Sequence, residues 1–128
     1  MTKAKDCVLL RVPAQTRYMV TVRLVAGSVA GRAGFNIEEV QDVQTAVSEA
    51  CLMLLPAMAE EDMLEVELCP ENGLCVAVRG RLTNRNEELS LEQEIGKYLL
   101  EEMMDEVLRR DEGDVGVYIL EKRLRAEA

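Results

Sequence analysis

The stretch AVSEACLMLL, residues 46–55, holds the side chain best suited to chemistry in this chain, Glu49. A carboxylate on the polar side of a helix serves as a general base, or as a ligand to a cation, when other polar groups converge with it. One turn later the same stretch carries Leu52, Met53, Leu54 and Leu55, and it runs into Pro56. Other reactive types are scarce. There is no histidine, which removes Cys/His and Ser/His pairs of nucleophile and base. The cysteines, Cys7, Cys51, Cys69 and Cys75, form no CxxC pair, so the common zinc spacings are missing too. In a reducing cytosol they read as small hydrophobic residues.

The 128 residues suit one domain, 1–128, with its own core. Apolar residues make up 48% of the chain, and with Phe35 as the sole phenylalanine and no tryptophan that core must be aliphatic. The formal charge of −9 is spread along the chain, which argues against a surface built for nucleic acid or anionic lipid and favours a protein partner with a basic patch. No apolar run reaches the ~18 residues of a membrane span, and MTKAKDCVLLRVP lacks the apolar core and cleavage site of a signal peptide. A cytoplasmic location is expected.

The elements that must position Glu49 follow from periodicity. Residues 7–12 are apolar and precede Pro13, as in a first strand. Between 17 and 34, Met19, Val22, Val25 or Ala26, Val29 and Ala33 recur at helical spacing, while Gly27 and Gly31, four apart, suit the close approach of another backbone. Asn36 and Glu39 form a capping-box pattern for a second helix from Ile37, with a stripe of Ile37, Val40, Val43, Val47, Ala50 and Leu54, and with Glu49 away from it. Pro56 kinks or ends that helix.

MLEVELCPENGLCVAVRG alternates on both sides of a turn. A three-residue loop, 71–73, pairs Leu68 with Val76 and Val66 with Val78, whereas a two-residue loop would set apolar residues opposite a charge. The first register buries Leu64, Val66, Leu68, Val76 and Val78 and sets Glu65 opposite Arg79. Ser90 with Gln93 caps a third helix carrying Leu91, Ile95, Tyr98 or Leu99, Met103 and Val107 and ending near Arg109 and Arg110. Glu101, Glu102, Asp105 and Glu106 then form a solvated helix face, and DEGD turns the chain into a last strand, 115–120. Strand, helix, helix, hairpin, helix and strand make a two-layer α/β sandwich, with helices on one face of a mixed or mostly antiparallel sheet.

DVQTAVSEAC, followed by LLEEMMDEV and a closing strand ending EKRL, resembles the anti-sigma factor and serine-kinase branch of the GHKL, or histidine kinase-like, ATPases. The resemblance runs from VTVRL in the first helix to EKRL, and AVSEAC together with MMDEV is specific to that branch. It implies a Bergerat-type sandwich in which ATP lies between helices and sheet, under a lid that precedes the third helix. It also implies a bacterial regulator that binds a sigma factor or an anti-sigma antagonist, phosphorylates a serine on the antagonist, and forms a homodimer.

The family's motifs are only partly present. In its ExxxN motif the glutamate acts on the attacking group and the asparagine holds magnesium; here the glutamate is Glu49 and the asparagine position is Met53, a poor ligand for a hard cation. In its DxGxG motif the aspartate accepts from adenine; here VRGRL sets Val78 at that position and keeps Gly80. In its GxG motif backbone amides meet phosphate; here EIG sets Glu94 at the first glycine and keeps Gly96, and a carboxylate there repels a triphosphate. The lid offers only Arg81 and Arg85 as cations.

The expected function is therefore anti-sigma-factor-like regulation by protein binding, with a degenerate nucleotide site and no cofactor. Met53, Leu54, Leu55, Met58 and Val78 would fill the former cavity, since a void costs a few kcal/mol. The competing readings are an active ATP-dependent serine protein kinase using Glu49 as base with ATP and Mg²⁺, and a non-catalytic dimerisation module. No metal ligands and no nucleic-acid or membrane partner are expected.

Overall fold

The computed structural model describes residues 6–84 and 91–125. Five strands, β1 Val8–Pro13, β2 Met63–Pro70, β3 Gly73–Arg81, β4 Glu106–Glu112 and β5 Val115–Arg123, form one sheet in the order β1-β2-β3-β5-β4. Every neighbouring pair is antiparallel. Three helices, α1 Met19–Ala33, α2 Ile37–Leu54 and α3 Leu91–Met103, complete a two-layer sandwich of the expected type.

Local signals locate α2 well. Asn36 Oδ1 accepts from the Glu39 amide at 2.8 Å, and the Asn36 amide donates to Glu39 Oε1 at 2.9 Å, closing the capping box. Val43, Val47, Ala50 and Leu54 are buried as the spacing predicts, joined by Ala46, Ser48 and Cys51, while Ile37 is exposed. Pro56 sits in a short 3-10 turn, Leu55–Ala57, that ends the helix. The α1 stripe buries Met19, Val22, Ala26, Val29 and Ala30, and Gly34 closes the helix at φ 109°. Gly27 is approached by a side chain and not by another backbone: Gln44 of α2 crosses it and donates to Arg23 O at 2.9 Å. Gly31 faces open space.

The β2–β3 hairpin has the three-residue register, Leu68 opposite Val76 and Val66 opposite Val78. Its turn needs left-handed backbone at Asn72, φ 51°, and a positive φ of 124° at Gly73. All five residues assigned to its inner face are buried. Glu65 is opposite Arg79 as expected, but the ion pairs run elsewhere, Arg79 to Glu67 at 3.3 Å and Arg11 to Glu65 at 3.5 Å.

The last third of the chain departs from the sequence reading. The third helix stops at Met103, and EVLRRDE is an additional strand, β4, hairpinned to β5 through Gly113 and Asp114. Arg109 and Arg110 are strand residues; the end of α3 is met instead by the buried Lys122, whose Nζ donates to Met103 O at 2.8 Å. Ile95, Tyr98 and Leu99 are exposed, and the inward face of α3 is Gly96, Leu100 and Met104's side, because Gly96 lets the helix approach α2. Asp105 and Glu106 leave the helix face: Asp105 accepts from the Arg123 amide at 2.7 Å, and Glu106 pairs with the Arg123 guanidinium. The Ser90 cap falls outside the described residues.

The cysteine reading is corrected as well. Cys51 is a buried thiol, but Cys7 and Cys69 are joined by a disulfide between β1 and β2. Strand pairing brings together two residues 62 apart in sequence, which no local pattern signals.

Candidate functional site

The residues singled out by the ATPase resemblance converge where α2, α3 and the sheet meet. The capped, apolar stripe of α2 holds Glu49 half-buried at the border of the core, with Met53 one turn further along. Against both lies the buried Gly96 of α3: a Cβ there would stand 2.8 Å from Met53 Sδ and 3.3 Å from Glu49 Oε1. The thioether thus occupies the space beside Glu49 where a magnesium-holding amide would be required. Gly96 is the sixth residue of a helix that begins at Leu91, so its amide lies inside the helix and not at an open first turn.

Gly80 and Gly116 face each other on β3 and β5. Both lie on the side of the sheet that carries the helices, since Val78, two residues from Gly80, is fully buried there. A Cβ on Gly80 would collide with Met58 Sδ, and one on Gly116 would stand 3.0 Å from each of Leu54 Cδ2, Leu82 Cδ1 and Arg109 Nη2. The glycine pair therefore makes room for the apolar end of α2. Beyond β3 the chain folds down on the same turn, with the Thr83 and Asn84 amides donating to Ala57 O at 2.8 and 3.0 Å. Of the five residues expected to fill the pocket, Val78, Leu54 and Met58 are buried, and Met53 and Leu55 are partly buried against the core.

A cleft of about 560 Å³ opens beside these residues, between α3 and the β4–β5 pair, with Met53, Glu94, Lys97, Val107, Arg109 and Tyr118 in its wall. Tyr118 is 7% exposed and is opposite both Val78 and Arg109 in the strand register, so the three share one face. The Arg109 guanidinium lies 5.3 Å from the ring centroid and pairs with Asp111 at 2.6 Å. Burial raises the Tyr118 hydroxyl's pKa above its ordinary value; Arg109 opposes the rise by charge and hydrogen bond, and the Glu49 carboxylate adds to it. Glu49, Met53, Gly96 and Tyr118 are thus one neighbourhood, and Glu94 sits exposed at its rim.

The positions expected to carry ATP and magnesium do not fit that cargo. Met53 offers sulfur to a hard cation, Val78 is sealed in the core, and the Gly80 cradle is filled by Met58. Sequence reasoning missed the cations of the neighbouring cleft: Lys97 was not singled out, and Arg109 was placed at a helix end. Arg81, counted as a lid cation, pairs with Asp114 at 3.5 Å, and Arg85 lies outside the described residues. No described helix is long and apolar enough to cross a membrane.

No family model matches the chain. Its sequence is similar to proteins named serine-protein kinase RsbW. The Bacillus subtilis (strain 168) protein is 28% identical over 132 residues, covering 94% of this chain and 76% of the relative. The Bacillus velezensis protein is 29% identical over 125 residues with the same coverage, and that of Bacillus cereus (strain B4264) is 26% identical over 124 residues, covering 81% and 78%. The chain is similar to these kinases over most of its length, and its three helices on a five-stranded antiparallel sheet are consistent with a GHKL-type sandwich.

Proposed function

We propose that this homologue of the RsbW serine-protein kinases is an anti-sigma-factor-like regulator that acts by binding a sigma factor or an anti-sigma antagonist, with its nucleotide site packed shut. The observation that carries this reading is the double filling of the site. Met53 lies against Gly96 where magnesium would need an amide, and Met58 lies against Gly80 where a nucleotide would need open backbone. Losing hydrogen-bond and metal partners together removes the convergent polar groups that phosphoryl transfer relies on. Glu49 remains, half-buried, as a carboxylate with no magnesium ligand beside it.

Titrating Mg-ATP while following the melting temperature tests this. A ligand at a hundred times its Kd adds about 2.7 kcal/mol to stability. No shift is expected at millimolar nucleotide, together with capture of a purified sigma factor or antagonist in its absence. A clear shift overturns the closed-site reading.

One observation favours a second reading. The adjacent cleft is lined by Lys97, Arg109 and Tyr118, with the Tyr118 hydroxyl within the field of the Glu49 carboxylate, and the similar proteins are named as kinases. An ATP-dependent serine kinase using Glu49 as base would transfer phosphate from ATP to an antagonist serine and lose that transfer in Glu49→Ala. A homodimer is expected in either case, and sedimentation of the purified chain tests it.

A further inference from the structure

Cys7, Cys69 and Cys75 stand in one row across three strands. Cys69 is opposite Cys75 in the β2–β3 register, and continuing the β1–β2 register one step beyond Val8 and Leu68 sets Cys7 opposite Cys69. All three project from the face away from the helices, because the flanking Leu68 and Val76 belong to the core. Glu67, two residues along β2, places a carboxylate oxygen within 4.8 Å of both bonded sulfurs.

The two flanks of Cys69 differ. The Cα atoms of Cys7 and Cys69 are 4.3 Å apart, the spacing of a non-hydrogen-bonded pair. A residue in a central strand directs its N–H and C=O to one neighbour, so Cys69 bonds toward β3, and its pair with Cys75 is the wider kind at ~5.5 Å. Side chains stand closer across the narrow pair than across the wide one, which favours the short Cβ–Cβ separation that a disulfide requires. The Cys75 thiol is also held above its ordinary pKa, by burial first and then by Glu121, Glu67 and Glu71, which leaves little thiolate. Cys7, by contrast, is exposed just before edge strand β1.

We propose that Cys7 and Cys69 form a reversible dithiol–disulfide site whose co-reactant is a low-molecular-weight disulfide of the glutathione disulfide class, and that the bridge fastens the start of β1 to β2. In the closing direction the Cys7 thiolate attacks one sulfur of the small disulfide, forming a mixed disulfide and releasing one small thiol. The Cys69 thiolate then attacks the Cys7 sulfur, forming the bridge and releasing the second small thiol. Two electrons pass from the protein's sulfurs to the small disulfide, and the protons of Cys7 and Cys69 end on the two released thiols. The reverse sequence opens the bridge.

The full chain, equilibrated in buffers of reduced and oxidised glutathione, alkylated and mapped by mass spectrometry, tests the site. One two-electron transition is expected, with Cys7 linked to Cys69, and it should persist in Cys75→Ser and vanish in Cys7→Ser. Amides of Leu10 and Val12, the β1 positions whose N–H groups bond to β2 in this register, should exchange with deuterium at least ~10-fold faster in the dithiol form, since the edge strand opens locally. A Cys69–Cys75 linkage, a transition surviving in Cys7→Ser, or equal exchange of the Leu10 and Val12 amides in the two forms would overturn the proposal.

Discussion

Met53 and Gly96 touch across the α2–α3 contact, with Met53 Sδ only 2.8 Å from where a Cβ on Gly96 would stand. The close helix approach and the seat of the thioether are therefore one structural fact: the glycine admits the Met53 sulfur. Met53→Asn restores the family's residue type but gives up the thioether's packing against Gly96 and leaves a half-buried amide to find partners. The expected result is a loss of about 1–2 kcal/mol in urea unfolding and no binding of Mg-ATP by calorimetry, because Val78 and Met58 still fill their positions. Magnesium-dependent nucleotide binding in this variant would mean that the site is one residue from competence and would sink the packed-pocket reading.

Two glycines separate packing from propensity. A Cβ on Gly80 meets Met58, which is buried, whereas one on Gly31 meets nothing within 4 Å. Gly80→Ala is expected to cost about 1–3 kcal/mol by overpacking, and part of that cost should disappear in the Met58→Ala background, a coupling that only touching residues show. Gly31→Ala should instead stabilise by up to ~1 kcal/mol through helix propensity. Thermal denaturation of the four variants measures this, and a Gly80→Ala cost that is unchanged by Met58→Ala would remove the assigned contact.

The sequence was readable where its signals are local. The Asn36 and Glu39 cap and the alternation around the 71–73 turn each involve residues a few positions apart, and both hold in the structure. β4 escaped because LRR after a helix reads as a cationic helix end, and only pairing with β5 makes it a strand. The face of α3 escaped because a glycine, invisible to a count of apolar residues, turns inward. Glu49, Met53, Val78, Gly80, Glu94 and Gly96 were nameable only through resemblance. Lys97, Arg109, Gly116 and Tyr118 come from three different elements and meet only after folding.

The Cys7–Cys69 bridge spans 62 residues of sequence. Cross-linking positions so far apart restricts the unfolded chain and contributes about 4 kcal/mol in the chain-entropy account. Reducing agent should lower the urea midpoint of the wild-type chain by a corresponding amount, with the slope changed little. Cys7→Ser should start at the lower midpoint and ignore reductant. A wild-type midpoint indifferent to reductant would show that the bridge adds nothing to global stability.

Cys51 sets an alkaline limit on the fold. Its thiol is fully buried on α2, and burial pushes its pKa from 9.0 to about 12. The folded value lies above the unfolded one, so the native state holds a proton that the unfolded chain releases, and stability falls with rising pH in that interval. The contribution is complete below pH 9 and is lost as pH climbs toward about 12. Tyr118, raised in the same direction by burial, adds to the loss above pH 10. Cys51→Ala should therefore lower stability modestly at pH 7, by about 1 kcal/mol for the lost sulfur contact, yet flatten the decline between pH 9 and 11. Under native conditions at pH 8 a thiol reagent should leave Cys51 unlabelled. Denaturant melts across that pH range measure the slope, and an unchanged alkaline decline in Cys51→Ala would show that other groups carry it.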